Sequence, residues 1–296
     1  MQSKQQIQSI LAQCGAKPDK KLGQNFLFDT NLINFLISQA EIKKTDAVME
    51  IGAGTGSLTE ALAEAAGRVV AVEYDKLLGQ CVSRRFKDFQ NVKIICADAL
   101  ETKNRLNPDL ISEAEKMREA LGGRLILAAN LPYNIASSVM INVITDSPFA
   151  DQMYVTIQKE VGQRMTAQSG SKIYGPLSII IQALGEAEIL KTLPPQVFWP
   201  PPKVESVMVK FEKKLSKTAR IKDISLLKEA VSLLMGHRRK TLRACCRLAD
   251  GRLSQIKDWE NVFQQAGINS GIRGEMLNPS EYVELSNILF DLLQNR

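Results

Sequence analysis

Four short stretches, residues 46–51, 68–73, 92–97 and 124–129, are almost continuous in Val, Ile, Leu, Met or Ala. None alternates apolar with polar positions as a half-wetted sheet does, so each is predicted to be a strand buried on both faces. Residues 57–66, rich in Leu and Ala, separate the first two, and residues 75–88 separate the second and third. The order strand, helix, strand, helix, strand predicts an α/β protein with a parallel sheet. Two further strands are predicted at 153–158 and 204–211. The second alternates Val204, Ser206, Met208 and Lys210 against Glu205, Val207, Val209 and Phe211, which suits an edge or antiparallel strand.

Beyond Lys217 the strand signals stop, and residues 224–235, 252–266 and 280–293 carry apolar positions at helical spacing. They predict a smaller, all-α C-terminal domain. Residues 101–123, with Glu113, Glu115, Lys116, Arg118 and Glu119 in a polar stretch, are long for a connection in a compact sheet and read as a surface insertion.

A length of 296 residues fits two domains. Hydrophobic residues at 45% with 24% charged exclude a disordered, collagen-like or coiled-coil chain. Apolar runs such as 125–129 and 177–181 end far short of the roughly 18 residues of a membrane helix. The start Met1-Gln2-Ser3-Lys4 leads into no apolar stretch with a small-residue cleavage site, so a cytoplasmic location is expected. The five cysteines (Cys14, Cys81, Cys96, Cys245, Cys246) form no C-x-x-C pair, and His237 is the single histidine. That weighs against a disulfide framework and against a metal site.

The net charge of +6 is unevenly placed. Up to residue 200 there are 21 basic and 21 acidic residues, and after it 17 basic against 11 acidic. The excess is densest over 203–243, where His237-Arg238-Arg239-Lys240-Thr241-Leu242-Arg243 stands out. Such a run is either a solvated helix face or a patch contacting nucleic-acid phosphates.

Candidate chemistry gathers where the predicted strands end. Glu50-Ile51-Gly52-Ala53-Gly54-Thr55-Gly56-Ser57 follows the first strand and opens a helix. Glycines there permit a tight turn and a close ligand approach. A dinucleotide fingerprint needs glycine at the sixth position from Gly52, where Ser57 stands. The G-x-G-x-G spacing with an acid two residues before it is instead similar to the nucleoside loop of S-adenosylmethionine-dependent methyltransferases. Glu73, 21 residues after Gly52, is at the right distance to accept both ribose hydroxyls, and Asp98 after the third strand suits an adenine amine. Each acid can equally cap the helix that follows.

After the fourth strand comes Asn130-Leu131-Pro132-Tyr133. Asn and Pro are turn formers in any protein. The tetrapeptide also suits chemistry on an adenine N6 amine, whose lone pair is delocalised into the ring. The Asn130 side-chain oxygen and a backbone carbonyl beside Pro132 can each accept an amine hydrogen and localise that lone pair. The Tyr133 ring can stack on a flipped-out base.

From about Lys21 onward the chain resembles the ribosomal RNA adenine N6,N6-dimethyltransferases, most closely the branch acting on the bacterial small subunit. The resemblance rests on Leu22-Gly23-Gln24-Asn25-Phe26-Leu27, the glycine loop, the tetrapeptide with Asn134-Ile135, and Gln158-Lys159-Glu160-Val161. It continues in Gly175-Pro176-Leu177-Ser178, Phe198-Trp199-Pro200-Pro201-Pro202-Lys203-Val204-Glu205-Ser206 and Arg238-Arg239-Lys240-Thr241-Leu242-Arg243.

The resemblance implies a Rossmann-like methyltransferase domain over 1–215, mostly parallel with an antiparallel C-terminal strand, and a helical RNA-docking domain over 216–296. It implies S-adenosylmethionine as cofactor, a monomer without metal, and small-subunit (16S) rRNA as partner, dimethylated at two adjacent adenosines near its 3′ end. Asn25 and Leu27 would cover the methionine end, Gly52 and Gly54 would lie against the cofactor, and Glu73 and Asp98 would hold ribose and adenine. Asn130 would touch both cofactor and target amine, with Leu131, Pro132 and Tyr133 completing the catalytic turn. Lys203, Arg238, Arg239, Lys240 and Arg243 would contact RNA. Ala53 departs from the proline usual in the family, and 101–123 is longer than the family leads one to expect. The alternatives are the large-subunit, antibiotic-resistance branch and a non-catalytic assembly or transcription factor on the same fold.

Overall fold

The computed structural model describes residues 2–19, 21–146 and 150–294. It opens with α1 (Lys4–Gln13), β1 (Phe26–Leu27) and α2 (Thr30–Ala40). There follow β2 (Ala47–Ile51), α3 (Ser57–Ala65), β3 (Arg68–Val72), α4 (Lys76–Arg85), β4 (Val92–Ile95), β5 (Leu100–Thr102) and β6 (Arg105–Leu106). Next are α5 (Pro108–Leu121), β7 (Leu125–Asn130), α6 (Ala136–Thr145), β8 (Gln152–Gln158), α7 (Lys159–Met165), α8 (Pro176–Leu184), β9 (Gly185–Leu193), β10 (Phe198–Trp199) and β11 (Ser206–Lys213). The rest is helical: α9 (Leu215–Thr218), α10 (Ile224–Met235), α11 (Leu242–Cys246), α12 (Trp259–Gln265) and α13 (Pro279–Gln294).

The chain divides into two compact units, Met1–Gly162 with Glu188–Glu212, and Gln163–Ala187 with Lys213–Arg296. In the first lies a sheet of order β4-β3-β2-β7-β8-β11-β9. Strands β4, β3, β2, β7 and β8 are parallel, and β11 runs antiparallel to β8. Strand β2 is buried along its whole length and β7 up to the half-buried Asn130, as their largely apolar runs require. Strand β4, expected to be buried on both faces, is instead the edge strand of the sheet, and none of its residues is fully buried. The chain starts at β2, steps outward to β4 and returns to β7, so its direction of travel reverses between β2 and β7. Ligands of open α/β sheets bind at the carboxyl ends of strands at such a reversal.

The return passes through α5, and here the structure overturns the surface insertion expected over 101–123. Helix α5 packs on β2 and β3 with Leu110, Ala114 and Met117 buried. These positions recur at helical spacing beneath a charged outer face, making α5 the crossover helix of the parallel sheet. Residues 252–266, expected as one helix, are split into a short 3-10 turn at Gly251–Gln255 and α12. Asp258 starts the second piece by accepting a hydrogen bond from the Asn261 N–H at 3.0 Å.

Cys14, at the end of α1, and Cys81, on α4, form a disulfide across 67 residues of sequence, which the odd, scattered cysteine pattern argued against. The fold brings these two residues together, whereas their sequence spacing carries no such signal.

Segment Gln163–Ala187 belongs to the second compact unit, although the sequence reading draws the boundary at 215. The reason lies in α8, whose Leu177, Ile179, Ile180, Ile181 and Leu184 are all buried, and which packs on α10 and α13.

Two polar side chains fix the starts of β2 and β7. Asp46, 2% exposed, receives the Arg124 guanidinium at 2.6 Å, the Arg124 backbone N–H at 3.2 Å and the Lys43 N–H at 2.9 Å. Burial alone would raise the Asp46 pKa, but the hydrogen bonds from Arg124 and Lys43 prevail and hold the carboxyl below its ordinary range. Asp46→Ala is expected to cost about 2–3 kcal/mol in urea unfolding at neutral pH, because it strands a half-buried guanidinium and two N–H donors. With the folded pKa depressed, this stabilisation is complete above the ordinary carboxylate value and is lost as pH falls through the folded one. Wild type should therefore lose more stability than Asp46→Ala on acidification.

Candidate active site

Turn geometry at the end of β2 creates the cleft. Gly52, Gly54 and Gly56 take φ values of 86°, 56° and 81°, a region that costs any residue with a Cβ. Space is closed as well: a Cβ on Gly52 would meet the Pro132 ring at 3.2 Å, and one on Gly54 would meet the Phe26 ring at 3.0 Å. The loop thus lies between the tetrapeptide and the N-terminal segment. Gly23, Asn25, Phe26, Gly52, Gly54, Glu73, Tyr74, Asp98, Asn130 and Pro132 line one cavity. Ala53 points away from it, buried in a cluster with Ala71, Val82 and Phe86.

Glu73, 5% exposed, ties this corner together. Its Oε2 accepts the Gly54 N–H at 2.7 Å and its Oε1 accepts the Asp75 N–H at 2.9 Å. Burial raises its pKa, with those two hydrogen bonds opposing. A carboxylate has about four acceptor sites, so each oxygen keeps one for a ligand donor. Asp98 lines the cavity, and its Oδ1 accepts the Leu100 N–H at 2.9 Å; the element that follows is strand β5, so Asp98 does not cap a helix.

Asn130 ends β7 with its amide held from two sides. Nδ2 donates to the Asn25 carbonyl at 2.7 Å, and Oδ1 accepts a short hydrogen bond from the Thr156 hydroxyl. Leu131 is buried, with its N–H donating to the Thr156 carbonyl at 3.1 Å. The Tyr133 hydroxyl bonds the Ser206 hydroxyl at 2.6 Å, and burial raises the Tyr133 pKa against that hydrogen bond. Thr156 and Ser206 are partners that the sequence reading did not assign.

Other expected site residues lie elsewhere. Leu27 does not line the cavity; it sits in the apolar cluster with Leu32, Leu36 and Phe198, because its two-residue strand pairs with β10 and turns the side chain inward. Lys203 is exposed in the first unit. Arg238, Arg239 and Lys240 occupy an exposed turn between α10 and α11, so this part of the run is not a helix face. Arg238 pairs with Glu275 at 2.9 Å and donates to the Lys172 carbonyl at 2.9 Å, and Arg243 meets Glu260 at 3.4 Å. Arg239 and Lys240 have no ion pair among the described residues.

Fold and site together define a Rossmann-like methyltransferase: a mostly parallel sheet with a glycine loop, a strand-end glutamate and an Asn-Leu-Pro-Tyr turn at its carboxyl edge. The family model described as ribosomal RNA adenine dimethylase matches residues 15–285, and the chain belongs to that family. The chain is 35% identical over 278 residues to the ribosomal RNA small subunit methyltransferase A of Caldanaerobacter subterraneus, covering 94% of this chain and 99% of that protein. It is 37% identical over 268 residues to the protein of the same name from Alkaliphilus metalliredigens, covering 90% of each. Among solved structures, a dimethyladenosine transferase from Plasmodium falciparum superposes with a TM-score of 0.67 at 23% identity, covering 91% of this chain and 98% of that one. The 23S rRNA methyltransferase ErmE follows at 0.57 and 21%, covering 90% of this chain and 100% of that one. At these identities the two structures bear on the fold alone.

Beneath the loop lies Glu50, 1% exposed, which accepts the Thr59 hydroxyl at 2.6 Å. Burial pushes its pKa from an ordinary 4.5 up to about 8, the Thr59 hydrogen bond opposing and the nearby Glu73 charge adding. Between those two values the unfolded chain has released this proton and the folded chain has not, so stability falls as pH rises from about 4.5 to about 8. Glu50→Gln keeps an acceptor for Thr59 without the titration. It should flatten that fall in thermal melts of the unliganded protein, and superimposable pH profiles for the two proteins would refute the assignment.

Proposed function

We propose that this chain transfers methyl groups from S-adenosylmethionine to the N6 amine of adenosines in small-subunit ribosomal RNA, in the cytoplasm, twice on each of two adjacent bases near the 3′ end. The observation that carries this reading is the Asn130 amide at the edge of the cavity that also presents Glu73 and the glycine loop. The small-subunit choice rests on relatives of at least 35% identity named for that subunit.

The cavity suits the cofactor. Its loop carries no side chains at Gly52 and Gly54, where a Cβ would crowd the Pro132 and Phe26 rings, so a ligand can lie against backbone. Glu73 would accept the two ribose hydroxyls with its remaining lone pairs, Asp98 would accept from the adenine amine, and Asn25 would close over the methionine end. Bound S-adenosylmethionine supplies a methyl group on a positively charged sulfur.

The chain's task is to make a delocalised amine nucleophilic. Asn130 Oδ1 and the Leu131 carbonyl beside Pro132 accept its two hydrogens, drawing the lone pair out of the ring as positive charge develops. Tyr133 stacks on the base. Lys203, Arg239 and Lys240 contact phosphates, with Arg238 bracing the turn that carries the last two and Arg243 engaged by Glu260.

Two variants separate binding from chemistry. Glu73→Ala should weaken cofactor binding about 10–100-fold in calorimetric titration, the equivalent of roughly 1–3 kcal/mol for lost buried acceptors. Asn130→Ala should slow transfer on the order of 10²–10³-fold, by analogy with loss of one oxyanion-hole donor, while RNA docking is retained. Full activity in Asn130→Ala, measured as tritium transfer to undermethylated small subunits, would sink the mechanism.

Changing Arg239 and Lys240 together to Ala should reduce the salt dependence of RNA binding by up to about two phosphate contacts' worth of slope. Cofactor affinity should stay as it was. An unaltered slope would mark the turn as merely solvated.

A further inference from the structure

Strands β8 and β11 bring two hydroxyls to the carboxyl edge of the sheet. Thr156 and Ser206 are both 0% exposed. In the antiparallel register Ser206 faces Gln158 and Thr156 faces Met208, so alternation puts Thr156 and Ser206 on one face of the sheet as diagonal neighbours. Asn130 faces Thr156 across the parallel pair β7 and β8. Ile126, Ala128, Tyr154 and Met208 on the same face belong to one apolar cluster.

A buried hydroxyl must find a partner or pay the cost of desolvation. Both find theirs in the tetrapeptide: Thr156 donates to Asn130 Oδ1, and Ser206 shares a hydrogen bond with the Tyr133 hydroxyl. The bond at Asn130 has a directional consequence. The Asn25 carbonyl at Nδ2 makes the amide's two orientations unequal, because a flipped amide would set its oxygen against that carbonyl, and the Thr156 hydroxyl then pins Oδ1 in place by donating to it. The oxygen keeps one lone pair free. At Tyr133 the bond anchors the para oxygen, and with it the direction of the ring's long axis.

We propose that Thr156 and Ser206 are positioning residues for methyl transfer, Thr156 by holding Asn130 Oδ1 where it faces the target amine and Ser206 by anchoring the tip of the Tyr133 side chain. The inference rests on the reading of Asn130 and Tyr133 given above and assigns the device that orients them. Neither residue touches substrate. Each acts through a group that does, so its loss should appear in the transfer step and leave binding of both substrates unchanged.

The experiment is single-turnover transfer from labelled S-adenosylmethionine to undermethylated small ribosomal subunits, both saturating. Thr156→Val keeps the strand and the volume but not the hydroxyl. It should slow transfer about tenfold, the equivalent of roughly 1.4 kcal/mol in the barrier, with affinities for cofactor and RNA unchanged, and Thr156→Ser should restore the rate. Ser206→Ala should slow transfer several-fold, and adding Tyr133→Phe to it should cause little further loss, since the two hydroxyls serve each other. In parallel, the side-chain amide resonances of Asn130, identified by their absence in Asn130→Ala, should be sharp and slow to exchange in wild type and broadened in Thr156→Val. Wild-type rate and resonances in Thr156→Val would overturn its role, and wild-type rate in Ser206→Ala would overturn that of Ser206. Undiminished transfer in Asn130→Ala would instead overturn the underlying reading of Asn130, whatever Thr156→Val does.

Discussion

Everything at the carboxyl edge depends on the pairing of β2 with β7 in one register. Asp46 and Arg124 lock the starts of the two strands, and Ala47, Val48 and Met49 then face Leu125, Ile126 and Leu127. At the far end the same register brings Gly52 so close to the Pro132 ring that a Cβ there would press on it at 3.2 Å. A slip of one residue would turn every side chain to the opposite face. It would also part the glycine loop from the tetrapeptide. The ion pair is valuable here as a registry device, because replacing such pairs by apolar residues often costs little stability, whereas two parallel strands buried in apolar side chains have few other features to tell one register from the next.

The site built on that register spends most of its polar atoms on itself. Glu73 has one N–H on each oxygen, Asn130 has one partner on each end of its amide, and Tyr133 is tied through its hydroxyl. What remains free is acceptor capacity: two lone pairs on Glu73 and one on Asn130. That suits a reaction in which hydrogens of hydroxyls and an amine must be accepted. On the reading proposed above, the site would need no general base. Asn130 does not titrate, and Glu73, the carboxylate closest to the loop, is fully used in holding backbone and offering acceptors. On that reading, acceptors held rigid in this way would need no reorganisation as charge develops on the amine.

Much of this was legible in the sequence because the physics is local. Strands buried on both faces must be apolar without alternation, and a turn with positive φ must be glycine, so β2, β3, β7 and the loop could be read directly. What escaped was set by distant contacts. Helix α5 hides three buried positions, Leu110, Ala114 and Met117, beneath five conspicuous charges. Strand β9, mostly exposed with Glu186, Glu188 and Lys191 along it, carries no apolar signature. The Cys14–Cys81 bond and the inward turn of Leu27 follow from how the N-terminal segment lies on α4 and on β10, and the hydroxyls of Thr156 and Ser206 acquire meaning only once β8 and β11 stand side by side.

The basic run teaches the same lesson about charge. Counting cations along residues 237–243 treats them as equivalent, but the fold does not. Arg238 is consumed by Glu275 and by the Lys172 carbonyl, and Thr241 caps α11 by accepting the Ala244 N–H at 3.4 Å. These bonds fix both sides of the turn and leave Arg239 and Lys240 projecting between them. A cation already paired with a carboxylate has little left to offer a phosphate, since the pair must break first, while a free cation held out by a braced turn gains the full benefit of releasing a counterion. Within this run, on the reading proposed above, the electrostatic work on a polyanion falls on Arg239 and Lys240, and Arg238 contributes by holding the turn in shape.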